Sequence, residues 1–297
     1  MIIEGYGLTL TSLPNISESV PGANLKQHDL LLELIAFAES IFPELNVEGQ
    51  ETLEEQQKLL ALVTLVRLQE VVQAIAILAA HGAREELKSN FRIFLDAYWV
   101  HANICNDVEF IGPYLRTDDK ARLKLLNSAK QHSGPVFHKV NELATPELKG
   151  ELEQRIKDEG ILEFQSQRNA QNVGCGEIYN SMFRLWSASV HTTPRCLENY
   201  IQIDDDGKPT SITHRPDPKA TNQLVYDAIH FFIKSLSGTG EVFDLGLAVK
   251  LDDFENRLEA VQKDVNLSQD RASIVTHILD TIFGLFGYQL AKLPKHR

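Results

Sequence analysis

From Glu51 to His81 the chain contains neither glycine nor proline, and Leu59, Leu62, Val66, Val72, Ile75 and Leu78 fall on helical spacing. Apolar residues spaced this way gather on one face of an α-helix, so the stretch predicts a single long helix. Gly82 ends it, because glycine enters the left-handed conformation that terminates helices at little steric cost. A second helical stretch, Arg84 to Cys105, follows at once. Two long helices joined by so short a link run antiparallel, and a hairpin of this kind seeds a helical bundle.

Gly5, Gly7, Pro14 and Pro21 make the first residues an irregular lead-in, and Leu25 to Phe42 shows helical spacing. Shorter helices are expected over Asp118 to Gln131, Val136 to Leu143, Pro146 to Ile161 and Glu177 to His191. Pro194 keeps the last from running much further, since the residue before a proline is pushed out of the α region. Tyr200 to Ile203 and Ser211 to Thr213 flank Asp204-Asp205-Asp206-Gly207 and predict a small β-hairpin. Lys219 to Ser237, Leu251 to Asp264 and Ser268 to Lys292 complete the set of helices. The expected fold is all-α, a helical bundle built on a long antiparallel helical hairpin, with one small β-hairpin near residues 200–213. Residues 1–49 are expected as an irregular segment plus a helix, and residues 50–297 as a single helical domain.

Composition narrows the function classes. A formal charge of −12 argues against an extended nucleic-acid surface, because phosphate binding needs clustered Lys and Arg. Cys105, Cys175 and Cys196 are odd in number and form no C-x-x-C pair, so no disulfide framework or zinc site is expected. The N-terminus has no basic stretch followed by an apolar core, and the uncharged apolar run near Val71 to Ala80 is shorter than a bilayer span. A cytoplasmic protein without a membrane helix is expected. No H-E-x-x-H, phosphate-binding glycine loop or G-x-S-x-G is present. In the Asp204 to Asp206 run the twelfth position of a calcium loop is Arg215, where a bidentate Glu is required. Gly174-Cys175-Gly176 predicts a tight turn before a helix, with a helix-activated thiol as its functional alternative.

Residues three, four or seven apart share a helix face, so Glu177, Asn180, Arg184, Ser187 and His191 form a polar stripe. Ile178, Tyr179, Met182, Phe183, Leu185, Trp186 and Val190 cover the flanks, which predicts a largely buried helix. A buried polar row needs partners, and Arg92 with Asp96, four apart among Phe91, Ile93, Phe94, Leu95, Tyr98 and Trp99, are the candidates. Convergence of Arg92, Asp96, Ser187 and His191 would give a charged site with an oriented acid–base histidine. A structural network accounts for the same residues: Arg92 bridged to Asp96, Ser187 bonded to its own helix, and His191 capping the last carbonyls.

Asn90-Phe91-Arg92-Ile93-Phe94-Leu95-Asp96 resembles the "R, three residues, acid" helix of the bacterial family catalogued as domain of unknown function 5677 (DUF5677). Tyr179 to His191, with Ser187 and His191 as "S, three residues, H", and Tyr200 to Ile212 resemble its second block. The likeness covers roughly Gln50 to Ser237 and marks Arg92, Asp96, Ser187 and His191. Asp96 stands where Glu is the more usual acid. The family has no agreed activity.

A more distant similarity is to the small helical ribonucleases of the HEPN superfamily, which carry an Arg and a following His with four to six residues between them. Arg184 and His191 satisfy that spacing, as do Arg271 and His277, but only the first pair shares a helix face. This resemblance implies metal-independent RNA cleavage without a cofactor. His191 would relay a proton at a ribose 2′-hydroxyl or leaving oxygen while Arg184 or Arg92 holds the phosphate. Its implied setting is bacterial stress or antiviral defence, with RNA and a second copy of the chain as partners. Leu185, where those nucleases usually carry a polar residue, departs from the pattern. The alternative is a non-catalytic helical module that binds a protein partner or a small ligand.

Overall fold

A computed structural model describes residues 24–132, 134–191, 193–198, 200–204, 208–212 and 218–264. The lead-in, the Asp205-Asp206-Gly207 turn, the helix expected over Ser268 to Lys292 and the Arg271/His277 pair lie outside the described residues.

Helix α1 (Leu25–Ile41) starts on the cap of Asn24, whose side chain accepts from the Gln27 amide. Helix α2 (Leu53–Ala80) opens on a capping box: the Glu55 amide donates to Thr52 Oγ1 at 3.2 Å and the Thr52 amide to Glu55 Oε2 at 3.0 Å. It closes at Gly82, whose φ of +64° lets the Ala83 amide reach back to Leu78 O at 3.0 Å. Helix α3 (Arg84–Asn106) returns antiparallel. The open end of the hairpin is tied by Gln57 Nε2, which donates to Ile104 O at 2.7 Å, one of the carbonyls the end of α3 leaves free.

Helix α4 (Ile111–Lys130) starts earlier than its sequence suggested, because Pro113 sits in the first turn, where no amide hydrogen is missed. Helices α5 (His138–Leu143) and α6 (Pro146–Asp158) fold back on α4 around Leu126, Ala144 and Leu152. Helix α7 (Ser166–Asn172) has no counterpart among the expected elements. A single α turn, α8 (Gly176–Ile178), leads through a π turn at Tyr179–Phe183 into α9 (Arg184–Val190) and then α10 (Pro194–Glu198). Strands β1 (Ile201–Ile203) and β2 (Pro209–Ile212) pair antiparallel, Ile201 opposite Ile212, with a bulge at Gln202/Ile203. The all-α architecture with one small β-hairpin is therefore the observed one.

Helix α11 (Pro218–Phe243) runs beyond Ser237, through two glycines that sit at close helix contacts. A Cβ on Gly238 would lie 3.2 Å from Cys105 Cβ on α3, and one on Gly240 would lie 3.1 Å from Leu247. Helix α12 (Ala248–Asp264) packs back on α11 and α1, and Arg257 pairs with Glu33 at 2.6 Å. By length and composition α2 would suffice to cross a membrane, but in the fold 56% of that apolar window is buried against its neighbours. Leu34 and Ile35 of α1, Leu65 and Val72 of α2, Phe94 of α3 and Phe232 of α11 share one core. The α7–α9 segment covers a further face of α3.

Candidate functional site

The candidate site lies along α3. Glu85, Arg92, Asp96 and Asn103 fall within about 40° of one another around the helix axis, over about five turns. Each meets a group on the α7–α9 segment. Ser189 Oγ donates to Glu85 Oε2 at 2.8 Å, and Arg92 Nε donates to Ser187 Oγ at 3.0 Å. The Asp96 carboxyl lies beside Ser166, and Asn103 Nδ2 donates to Asn169 O at 2.9 Å. The rungs hold α3 against α9 at one end and α7 at the other.

The Ser187 hydroxyl is engaged both as acceptor and as donor, and Arg92 through its Nε. Ser187 Oγ accepts from Arg92 and donates to Phe183 O at 2.9 Å, the local bond expected of a mid-helix serine. The Arg92 guanidinium also lies over the Phe183 ring, 4.4 Å from its centroid. Phe183 packs in turn on Trp99 at 4.9 Å and on Tyr179 at 5.0 Å, while Trp186 meets Phe91 edge-on at 5.1 Å.

Arg92 does not bridge Asp96. Burial pushes the Asp96 carboxyl above its ordinary range, and the nearby Ser166 hydroxyl and the charge of Arg92 offset only part of that. Its Oδ1 is buried without a hydrogen-bond partner. Glu85, 5% exposed, behaves oppositely: burial pushes it up, but Lys88 at 2.8 Å, Ser189 and Arg84 at 3.0 Å outweigh that and hold it below the usual carboxylate range.

The stripe is otherwise a solvent face. Glu177, Asn180, Arg184 and His191 are exposed, and only Ser187 points into the seam. The expectation of a largely buried helix is corrected: Phe183 and Trp186 are buried, while Val190 is 44% exposed. The π turn takes an extra residue, so Glu177 and Asn180 lose the register with Arg184 that an unbroken helix would give. Helix α9 ends at Val190, and His191 is extended (φ −115°, ψ 141°). Among the described residues neither Arg184 nor His191 makes a side-chain hydrogen bond or ion pair, so His191 caps no carbonyl and joins neither Arg92 nor Asp96. Neither a cleft of about 390 Å³ beside α4 and α7 nor a pocket of about 200 Å³ at Phe91, Met182 and His230 is lined by Arg184, Ser187 or His191.

Sequence reasoning missed Glu85, Asn103, Ser166 and Ser189. The signal was a polar residue at 85, 92, 96 and 103 on an apolar helix, a spacing visible only over its full length. It also missed His101, which is fully buried between α2, α3 and α11. His101 Nδ1 lies 2.8 Å from Thr64 Oγ1, and Nε2 lies 3.0 Å from Ser235 O and 3.2 Å from Thr239 Oγ1. Burial lowers its pKa to about 4, so the ring is neutral. Burial likewise raises the pKa of the Cys175 thiol, leaving it without nucleophilic activation. Among the described residues no group of three His, Cys, Asp or Glu could hold a metal ion.

Neither the curated proteins nor the solved structures contain a match to this chain, so they lend the likeness to helical ribonucleases no support. The match lies at family level and spans the α2–α3 hairpin, the ladder on α3 and the π turn: over residues 58–209 the chain fits the model of a family of unknown function, DUF5677, and it belongs to that family.

Proposed function

We propose that the protein is a non-catalytic helical module that binds a small ligand or partner, with the motif residues serving to hold its helices in register. The supporting observation is the engagement of Ser187, whose oxygen both accepts from Arg92 and donates to Phe183 O. That commits the Ser187 hydroxyl and Arg92 Nε to the contact between the two helices. Buried polar rungs of this kind fix how two helices pack, because any other register strands a polar group.

The test has two parts. Arg92→Ala is expected to lower unfolding stability by about 1–3 kcal/mol, and Ser187→Ala by about 1 kcal/mol, in urea titrations. Purified protein incubated with RNA in EDTA is expected to leave the RNA intact. If neither substitution moves the urea midpoint, the register role is lost.

A second reading, the metal-independent ribonuclease, is favoured by the exposure of Arg184 on α9 and of His191 just past its end, with no side-chain partner among the described residues. With Arg92 engaged, Arg184 would hold the phosphate and His191 would move the proton. RNA and a second copy of the chain would be its partners, in a bacterial cytoplasm under stress or viral attack. RNA cleavage that His191→Ala abolishes without loss of helical content would replace the first reading by this one.

A further inference from the structure

Between the start of α4, the loop after α6 and α7 lies the cleft of about 390 Å³, a size suited to a small organic ligand. One wall is aromatic. Phe110 and Tyr114 stack at 5.6 Å with 16° between their planes, and Phe164 meets Tyr114 edge-on at 6.5 Å. At the base is Asn169, 3% exposed. Its main-chain carbonyl is taken by Asn103, but among the described residues its side-chain amide makes no hydrogen bond. A side-chain amide that lines a cavity with its donor and acceptor both unused by the protein offers them to a complementary polar group there.

The charge around the cleft is close to balanced. Arg116 is spent on Glu159 at 3.2 Å, and Arg168 donates to Glu163 O at 3.4 Å, while Asp107 and Glu109 add two carboxylates to the lining. That balance gives an anionic ligand no advantage and offers acceptors to hydroxyl groups. An amide presents a donor and an acceptor side by side, the pattern that reads the edge of a nitrogen heterocycle, and aromatic rings stack on its face.

We propose that this cleft binds an uncharged planar heterocycle bearing hydroxyl groups, of the nucleoside class, with Asn169 reading its edge, Tyr114 and Phe164 packing on it, and Asp107 and Glu109 accepting from the sugar. This rests on the binding-module reading and gives that module its ligand class.

The test is calorimetric titration of the full chain with adenosine, guanosine, cytidine and uridine, each beside its 5′-monophosphate. One nucleoside is expected to bind at one site per chain, more tightly than its monophosphate. Asn169→Ala, which leaves the main-chain bond to Asn103 in place, is expected to weaken binding about tenfold with the melting temperature unchanged. Phe164→Ala, on an exposed loop residue, is expected to weaken it as well. The proposal is overturned if no nucleoside binds, if the monophosphate binds more tightly, or if both variants bind like the parent protein. None of these outcomes involves RNA cleavage or the α3–α9 seam, so failure here is distinct from failure of the non-catalytic reading.

Discussion

Asp96 and His101 are both buried on α3, and burial acts on them in opposite directions because one charges by losing a proton and the other by gaining one. The folded pKa of Asp96 lies above its ordinary 3.8. Its contribution to stability is therefore complete below that value and lost as pH rises through the folded one. Asp96→Asn, which is neutral at every pH, is expected to equal or exceed the parent in stability at pH 7. That advantage should vanish in acid; a large destabilisation at pH 7 would mean that the ionised carboxylate is needed. His101 runs the other way. Its folded value of about 4 lies below 6.5, so its contribution is complete above pH 6.5 and lost as pH falls to about 4, amounting to about 3 kcal/mol. Urea titrations from pH 7 to pH 4 should show that slope in the parent and a flatter one in His101→Gln. Equal slopes would place the acid sensitivity elsewhere.

Elements whose ends are set by local chemistry were legible in the sequence. The capping box at Thr52 and Glu55 and the left-handed Gly82 act over a few residues, so the α2–α3 hairpin was read nearly to its ends. Elements governed by distant contacts were not. Gly238 reads as a helix stop, yet α11 passes through it because the missing side chain admits Cys105 of α3. Gly238→Ala is expected to destabilise the protein by about 1–3 kcal/mol, although alanine is the better helix former. Cys105→Ala should recover part of that loss, since the added methyl then meets less. Additive effects in a double-mutant cycle would show that the two helices do not press on each other there. The π turn was equally hidden: Tyr179 to Phe183 carries no glycine or proline, and the widening of the turn accompanies the packing of Tyr179 and Phe183 on Trp99.

At the scale of the molecule, α1 shares its core with α2, α3, α11 and α12, although in sequence an irregular stretch separates it from the hairpin. Leu34→Ala in α1 and Leu65→Ala in α2 are each expected to cost about 2–5 kcal/mol and to shift the same unfolding transition. Two separate transitions, with Leu34→Ala moving only one, would make α1 an independent unit. The sequence alone determined that the chain is helical and where its two longest early helices begin and end, and it singled out Arg92, Asp96, Ser187 and His191 as candidates. Helix periodicity and capping are local, and the order of residues carries them in full. Only the tertiary structure decided that Arg92 meets Ser187, 95 residues away, that Asp96 is not bridged by Arg92 and keeps a buried, unpaired oxygen, and that His191 faces solvent. The reason is physical: which polar groups pair across a seam depends on the rotation and offset of packed helices. Those are set by the fit of side chains such as Phe183, Trp186 and Trp99 in three dimensions, and spacing along a single helix does not contain them.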